Sequence, residues 1–262
     1  MTKSIISDMD GVVYRGDSLV PGAQEFIQEL LRRDVPFLFL TNVSEKTPLD
    51  LLKKMENLGI KGLQEHHFIT AAMATAMFLA RQKPGARVYC IGGPGLKQEL
   101  VKAGLVLIDG PFGSSPPDFL VVGKTDEFHF NHMRLGVQAI LAGAKFIGTN
   151  PDVLDPSDQG FEPACGSLLA SLEAATGKKP YIVGKPNPLM MTLATRKLGV
   201  HPDDTIMIGD RMDTDILGGL EAGMTTMLVL SGVSSLEDAQ DFPYAPDYIV
   251  TSLSEVLDKL VG

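Results

Sequence analysis

Asp8 and Asp10 stand two residues apart in Asp8-Met9-Asp10-Gly11-Val12, directly after the apolar pair Ile5-Ile6. Two carboxylates at that spacing project to one side of a continuing strand. Gly11 marks a turn instead, which lets the pair diverge into one site with separate roles. An Asp- and Gly-rich turn without chemistry would look the same, so the remaining polar clusters have to discriminate. Thr41-Asn42 closes a second apolar run, where a hydroxyl, an amide and unpaired backbone N–H groups could hold an anionic oxygen. Thr149-Asn150 repeats the dipeptide, so position rather than composition must decide between the two copies. Lys185, in Gly184-Lys185-Pro186 after the apolar stretch 181–183, is placed to neutralise a phosphate or steady a carboxylate. Finally, Gly209-Asp210-Arg211-Met212-Asp213-Thr214-Asp215 gathers three carboxylates after another apolar run. Oxygen ligands of this kind suit a hard cation. Helix capping accounts for Asp213 or Thr214 but not for Asp210, which closes the strand.

The elements that must carry these groups alternate. Short apolar strands are expected at residues 4–7, 36–40, 87–91, 119–122, 145–147, 205–208 and 226–229. Helical periodicity lies between them, as at 23–33, where Ala23, Phe26, Ile27, Leu30 and Leu31 recur on one face. Gly59, Gly104, Gly143, Gly199 and Gly223 each follow an apolar residue and read as helix stops. Strand–helix repetition implies a mainly parallel α/β sheet covered on both faces. Ligands of such sheets bind beyond the carboxyl ends of the strands, where all four clusters fall. Residues 109–117 and 151–163 are expected to be long loops.

Composition bounds the function. The chain has 262 residues, 44% hydrophobic and 21% charged, with a formal net charge of -9. That balance suits a globular protein and disfavours nucleic acid or an anionic membrane as partner. Two distant cysteines, Cys90 and Cys165, fit a reducing cytoplasm better than a disulfide framework or a zinc site. No apolar run has the length of a membrane span, and the first residues lack the pattern of a signal peptide. A cytoplasmic location is expected.

In order, Asp-x-Asp-Gly, Thr-Asn, Gly-Lys-Pro and Gly-Asp-x-x-x-Thr-Asp resemble the haloacid dehalogenase (HAD) superfamily. Thr149-Asn150-Pro151-Asp152, Pro163-Ala164-Cys165-Gly166, Gly177, Pro180 and Leu230-Ser231-Gly232-Val233 resemble its NagD-like branch, across essentially the whole chain. The resemblance implies a doubly wound, Rossmann-like core at 1–78 and 181–262, with an α/β cap of the C2 type inserted at 79–180. It implies a Mg²⁺-dependent phosphatase acting on a small phosphorylated metabolite through an aspartyl-phosphate. Asp8 would be the nucleophile and Asp10 the general acid and base. Gly11, Thr41, Asn42 and Lys185 would surround the phosphoryl group. Asp8, the main-chain carbonyl of Asp10 and Asp210 would ligate the metal, with Asp215 in support. Asp213 occupies a variable position and receives no role. Asp152 and Cys165 are expected to shape the substrate pocket in the cap, and a cap-mediated homodimer is compatible with the branch.

A phosphotransferase such as a mutase would use the same residues. A receiver-type phospho-switch shares the aspartate, metal and lysine but not the motif order, and has no use for Asp10. A dehalogenase would not need the metal for which Asp10 and Asp210 look built. Three further signals are weaker. Gly92-Gly93-Pro94-Gly95 lacks dinucleotide-loop spacing, and neither His66-His67 nor His129-x-x-His132 has a third metal ligand nearby.

Overall fold

The computed structural model of the protein describes residues 3–157 and 160–261. The expected core limits at Met1 and Gly262, and part of the expected loop at 151–163, lie outside the described residues. The chain forms two compact units. One comprises the residues up to Thr41, Pro48–Ile69 and those from Lys185 onward; the other comprises Asn42–Thr47 and Thr70–Gly184.

With strands numbered along the chain, the first unit is built on a six-stranded sheet. Its strands are β1 (Ser4–Ser7), β4 (Phe37–Thr41), β5 (Phe68–Thr70), β13 (Thr205–Gly209), β14 (Thr225–Val229) and β15 (Tyr248–Val250), in the order β15-β14-β13-β1-β4-β5. β1 pairs in parallel with both β13 and β4, and β13-β14-β15 continue in parallel. β1, β4 and β13 are buried along their whole length, as expected of parallel strands covered on both faces. The helix Ala23–Arg32 shows how that cover is encoded: Ala23, Phe26, Ile27 and Leu30 are buried, while Glu29 pairs with Arg32 and Arg33 in solvent. A short antiparallel hairpin, β2 (Tyr14–Arg15) and β3 (Ser18–Leu19), follows the first strand.

The second unit has its own sheet, in the order β12-β9-β8-β6-β7. Its strands are β6 (Arg87–Ile91), β7 (Val106–Leu107), β8 (Phe119–Val122), β9 (Lys145–Gly148) and β12 (Tyr181–Ile182), and all four pairings are parallel. A separate core fills it, centred on Tyr89, Ile91, Leu120, Val122, Leu169 and Leu172.

Two expectations need correction. The core, expected to resume at 181, resumes at Lys185: Tyr181 and Ile182 pair with Ile147 and Gly148, and Ile182 packs on the second core. An apolar strand carries no mark of which sheet it joins. The expected loop at 151–163 is in fact the antiparallel pair β10 (Leu154–Ser157) and β11 (Gly160–Pro163). Its composition suggests a loop because the hairpin is held by charge as well as by strand pairing. Asp155 and Glu162 face each other across the strands, and Lys124 Nζ donates to both, at 2.7 and 2.6 Å. Burial works against the ammonium's charge, but the two carboxylates outweigh it and hold its pKa above the usual lysine value.

Lys124→Met would leave like charges directly opposed across the hairpin. Protease cleavage within 154–163 should accelerate several-fold. Global stability should fall by less than about 1 kcal/mol, since both carboxylates are screened by solvent. Limited proteolysis beside a thermal melt checks this; equal cleavage of both proteins would contradict it.

Candidate active site

The first unit's strand order reverses at β1. The chain runs from β1 to β4 and β5 on one side, then returns to β13, β14 and β15 on the other. Such a switch point opens a crevice at the carboxyl ends of the strands. Register fills it with the expected residues. Ser7 is level with Ile208 and with Phe39, so Asp8, Asp210 and Thr41 emerge within a residue of one another on adjacent strand ends. Asp8, Thr41 and Asp210 are all buried.

Lys185 binds this group together. It is 2% exposed, and its Nζ donates to Asp8 Oδ1 at 2.6 Å, to Asp215 Oδ1 at 2.7 Å and to the main-chain oxygen of Leu40 at 3.0 Å. Asp215 reaches this position from a wide turn over Met212–Ile216, in which the Ile216 N–H bonds back five residues to the Arg211 oxygen. Single π-type turns of this sort recur at functional sites. The turn also brings the Arg211 N–H onto Asp215 Oδ2 at 3.2 Å. Asp213, two residues earlier, pairs with Arg211 at the surface.

Glycine makes the room. A Cβ at Gly209 would overlap the Asp215 carboxylate, and one at Gly11 or Gly232 would overlap that of Asp210. Gly11 also has φ of 78°, a conformation that other residues rarely adopt. Val233 N–H donates to Asp210 Oδ2 at 2.7 Å, and Ser234 N–H donates to the Asp210 main-chain oxygen at 2.9 Å. Neither donor was expected from sequence. The signal that could have found them is Ser231-Gly232-Val233-Ser234 closing the apolar strand β14, the same strand-then-polar pattern as the other clusters.

Oxygens of Asp8, Asp210 and Asp215 lie within 4.8 Å of one another, the only such cluster of potential ligands among the described residues. One ammonium faces three buried carboxylates, so negative charge is in excess. Burial raises the pKa of all three: Asp210, also repelled by Asp8 and Asp215, to about 8, and Asp215 to about 6 despite Lys185. Burial opposes the charge on Lys185 too, but Asp215 and Asp8 outweigh it and keep the ammonium firmly protonated. An all-oxygen donor set with surplus negative charge fits a hard divalent cation. Asp10 differs from its neighbours in being exposed; its charge bears on Asp8 and helps to raise it.

The other expected residues belong to the second unit. Asn42 Nδ2 donates to Asp152 Oδ2 at 3.0 Å, and Asn150 Nδ2 donates to the Asn42 oxygen at 2.8 Å. The second Thr-Asn copy thus braces the residue that follows Thr41. Cys165 opens the helix Cys165–Thr176 but is fully buried in the second core, between the Thr149 hydroxyl and the Val122 oxygen. Burial pushes its thiol pKa up, and the side chain offers no surface to a substrate. His66 tilts against His67 and His129 stacks on His132, and none of the four joins a ligand cluster among the described residues.

Comparison with known proteins agrees with this geometry. The haloacid dehalogenase-like hydrolase family matches residues 5–106, and a HAD-hydrolase-like family matches 182–256. A dihydroxyacetone phosphatase of Corynebacterium glutamicum is 42% identical, covering 97% of this chain and 90% of its own. The ribonucleotide monophosphatase NagD of Escherichia coli is 40% identical, covering 97% and 98%. Its solved structure superposes with a TM-score of 0.89 at 41% identity over the same shares. A p-nitrophenyl phosphatase from Archaeoglobus fulgidus gives 0.91 at 32% identity, covering 98% and 99%. The chain belongs to the haloacid dehalogenase-like hydrolases and, within them, to the NagD-like phosphatases with an inserted α/β cap. It is an enzyme of the phosphomonoester hydrolase class.

The raised carboxylates give the cation-free protein a definite pH dependence. Folded values of about 8 and 6 lie above the ordinary 3.8, so at intermediate pH the folded protein keeps protons that the unfolded chain has released. That stabilisation is complete below 3.8 and is lost as pH rises through 6 and then 8. In chelator, the melting temperature should therefore fall between about pH 5 and pH 8.5, and a divalent cation should raise it most at the alkaline end. A melting temperature that climbs over this range in chelator would contradict the assignment.

Proposed function

We propose that the protein is a Mg²⁺-dependent phosphatase that passes the phosphoryl group of a small phosphomonoester to Asp8 and then to water. The observation that carries this reading is the Asp8 carboxylate at the sheet's switch point, clamped by Lys185 and beside two further buried carboxylates. Asp8 attacks phosphorus, the bond to the ester oxygen breaks, and Asp10 gives the departing alkoxide its proton. Asp10 then takes a proton from water as that water attacks phosphorus, which releases phosphate and restores Asp8. Its exposure supports the double role, because a solvated carboxyl can change protonation between the two halves.

Lys185 offsets repulsion between Asp8 and the anionic substrate. Thr41 and the main chain around Gly11 would hold phosphoryl oxygens. Asp8, Asp210 and the Asp10 carbonyl would hold Mg²⁺, with Asp215 in support, and the ion would add positive charge where the phosphoryl group carries its negative charge. The named relatives share a phosphomonoester and differ in the alcohol, so the shared part is what we assign here. The two free thiols fit a cytoplasmic setting, and no helix among the described residues is long and apolar enough to cross a membrane.

Asp8→Asn should cut turnover of p-nitrophenyl phosphate by more than about a thousandfold while the melting temperature stays near that of the wild type. Acid quench of the wild type during turnover of a radiolabelled ester should leave protein-bound phosphate that hydroxylamine removes. Label absent from the wild type, or equal in Asp8→Asn, would sink the covalent step.

Removal of divalent ions by a chelator should abolish turnover, and excess Mg²⁺ should restore it. Asp210→Asn should raise the Mg²⁺ concentration for half-maximal rate about tenfold or more, whereas Asp213→Asn should leave it near the wild-type value. Full activity after exhaustive chelation would defeat the metal assignment.

A further inference from the structure

Asp210 is held by one peptide group whose far end is held by an arginine. The peptide joining Gly232 to Val233 donates its N–H to Asp210 Oδ2 at 2.7 Å. The carbonyl oxygen of the same peptide accepts from Arg15 Nη2 at 3.1 Å, and Arg15 also donates to the adjoining Ser231 oxygen. In a trans peptide the C=O and N–H point in opposite directions. The guanidinium and the carboxylate therefore sit at the two ends of a single peptide dipole. A cation on the oxygen side polarises the group and strengthens the N–H as a donor. Two successive carbonyls converging on one nitrogen of a planar guanidinium also fix the tilt of the peptide.

The rest of the loop is arranged to transmit this. Ser231 Oγ donates to the Gly11 oxygen at 2.7 Å, and Ser234 Oγ accepts the Met212 N–H at 3.1 Å. Upstream the loop leaves β14; downstream it enters the helix Leu236–Gln240 through a reciprocal cap between Ser235 and Asp238. Both ends are anchored, and between them the middle peptide is held by Asp210 on one side and Arg15 on the other. Gly232 lies so close to Asp210 that any side chain there would displace the carboxylate. Arg15 itself is an exposed residue of the β2–β3 hairpin, touches none of the reacting groups, and has no structural task in the core.

We propose that Arg15 is a positioning residue that sets the enzyme's affinity for its divalent cation, acting on Asp210 through the Gly232–Val233 peptide. The proposal rests on the reading of Asp210 as a cation ligand. It predicts a change in cation affinity without a matching change in chemistry.

The test compares wild type, Arg15→Ala and Arg15→Lys by titrating Mg²⁺ calorimetrically into substrate-free protein, and by measuring the Mg²⁺ dependence of turnover. Arg15→Ala should weaken Mg²⁺ binding about fivefold to tenfold, the size of one ordinary hydrogen bond, since Arg15 acts on Asp210 only through the intervening peptide. The Mg²⁺ concentration for half-maximal rate should rise by the same factor, and saturating Mg²⁺ should recover most of kcat. Arg15→Lys, which keeps the charge but not the fork, should fall between the two, and melting in chelator should be alike for all three. A wild type that binds Mg²⁺ beside an Arg15→Ala that binds equally well overturns the role of Arg15 alone. A kcat loss that saturating Mg²⁺ does not recover also overturns it. A wild type that takes up no Mg²⁺ overturns the reading of Asp210 and the proposal with it.

Discussion

An ammonium buried to 2% exposure is tolerable only if each of its three protons finds an acceptor, and Lys185 finds Asp8, Asp215 and the Leu40 oxygen. The acceptors come from the ends of β1 and β4 and from the turn after β13, so one side chain ties together the three strands that meet at the switch point. Everything else in the site answers to this arrangement. Asp8 can be both buried and ionised because the lysine is there. Asp215 is committed to the lysine and cannot swing away. What remains is an excess of negative charge, which bound protons or a cation would offset.

The second constraint is space. Packing three carboxylates and an ammonium at adjacent strand ends leaves no volume for side chains on the opposing backbone, and Gly11, Gly209 and Gly232 supply that clearance. They come from three separate segments, after β1, at the end of β13 and after β14, and each faces Asp210 or Asp215. The acidic residues draw attention in the sequence, but the glycines determine where their oxygens can lie.

Much of this was legible from the sequence because a parallel sheet puts chemistry in a predictable place. An apolar run followed by Asp8, Thr41 or Asp210 was enough to foresee the strand ends and their convergence, and Lys185 followed from its motif. The core limit expected at 181 fell too early because an apolar segment carries no mark of the sheet it joins. The hairpin at 154–163 was hidden since its partner, Lys124, lies some thirty residues upstream. Cys165, expected to help shape the pocket, is buried in the second unit's core, and nothing in its local sequence distinguishes a core position from a pocket wall. Arg15 was invisible for a different reason: it acts on main-chain atoms, which every sequence possesses and none advertises.

The sheet's order also has a consequence for how the chain is made. β1 leaves the ribosome well before the neighbour that covers one of its edges: β13 begins only at Thr205, after most of the second unit has been synthesised. At ordinary translation rates that interval is on the order of 10 to 40 s. Throughout it the nascent chain carries an apolar parallel strand with an open edge, the kind of surface that recruits other chains. The inserted unit can meanwhile complete its own sheet. Newly made protein thus has one finished half and one unfinished half, and the unfinished half is where holdase chaperones would find their grip.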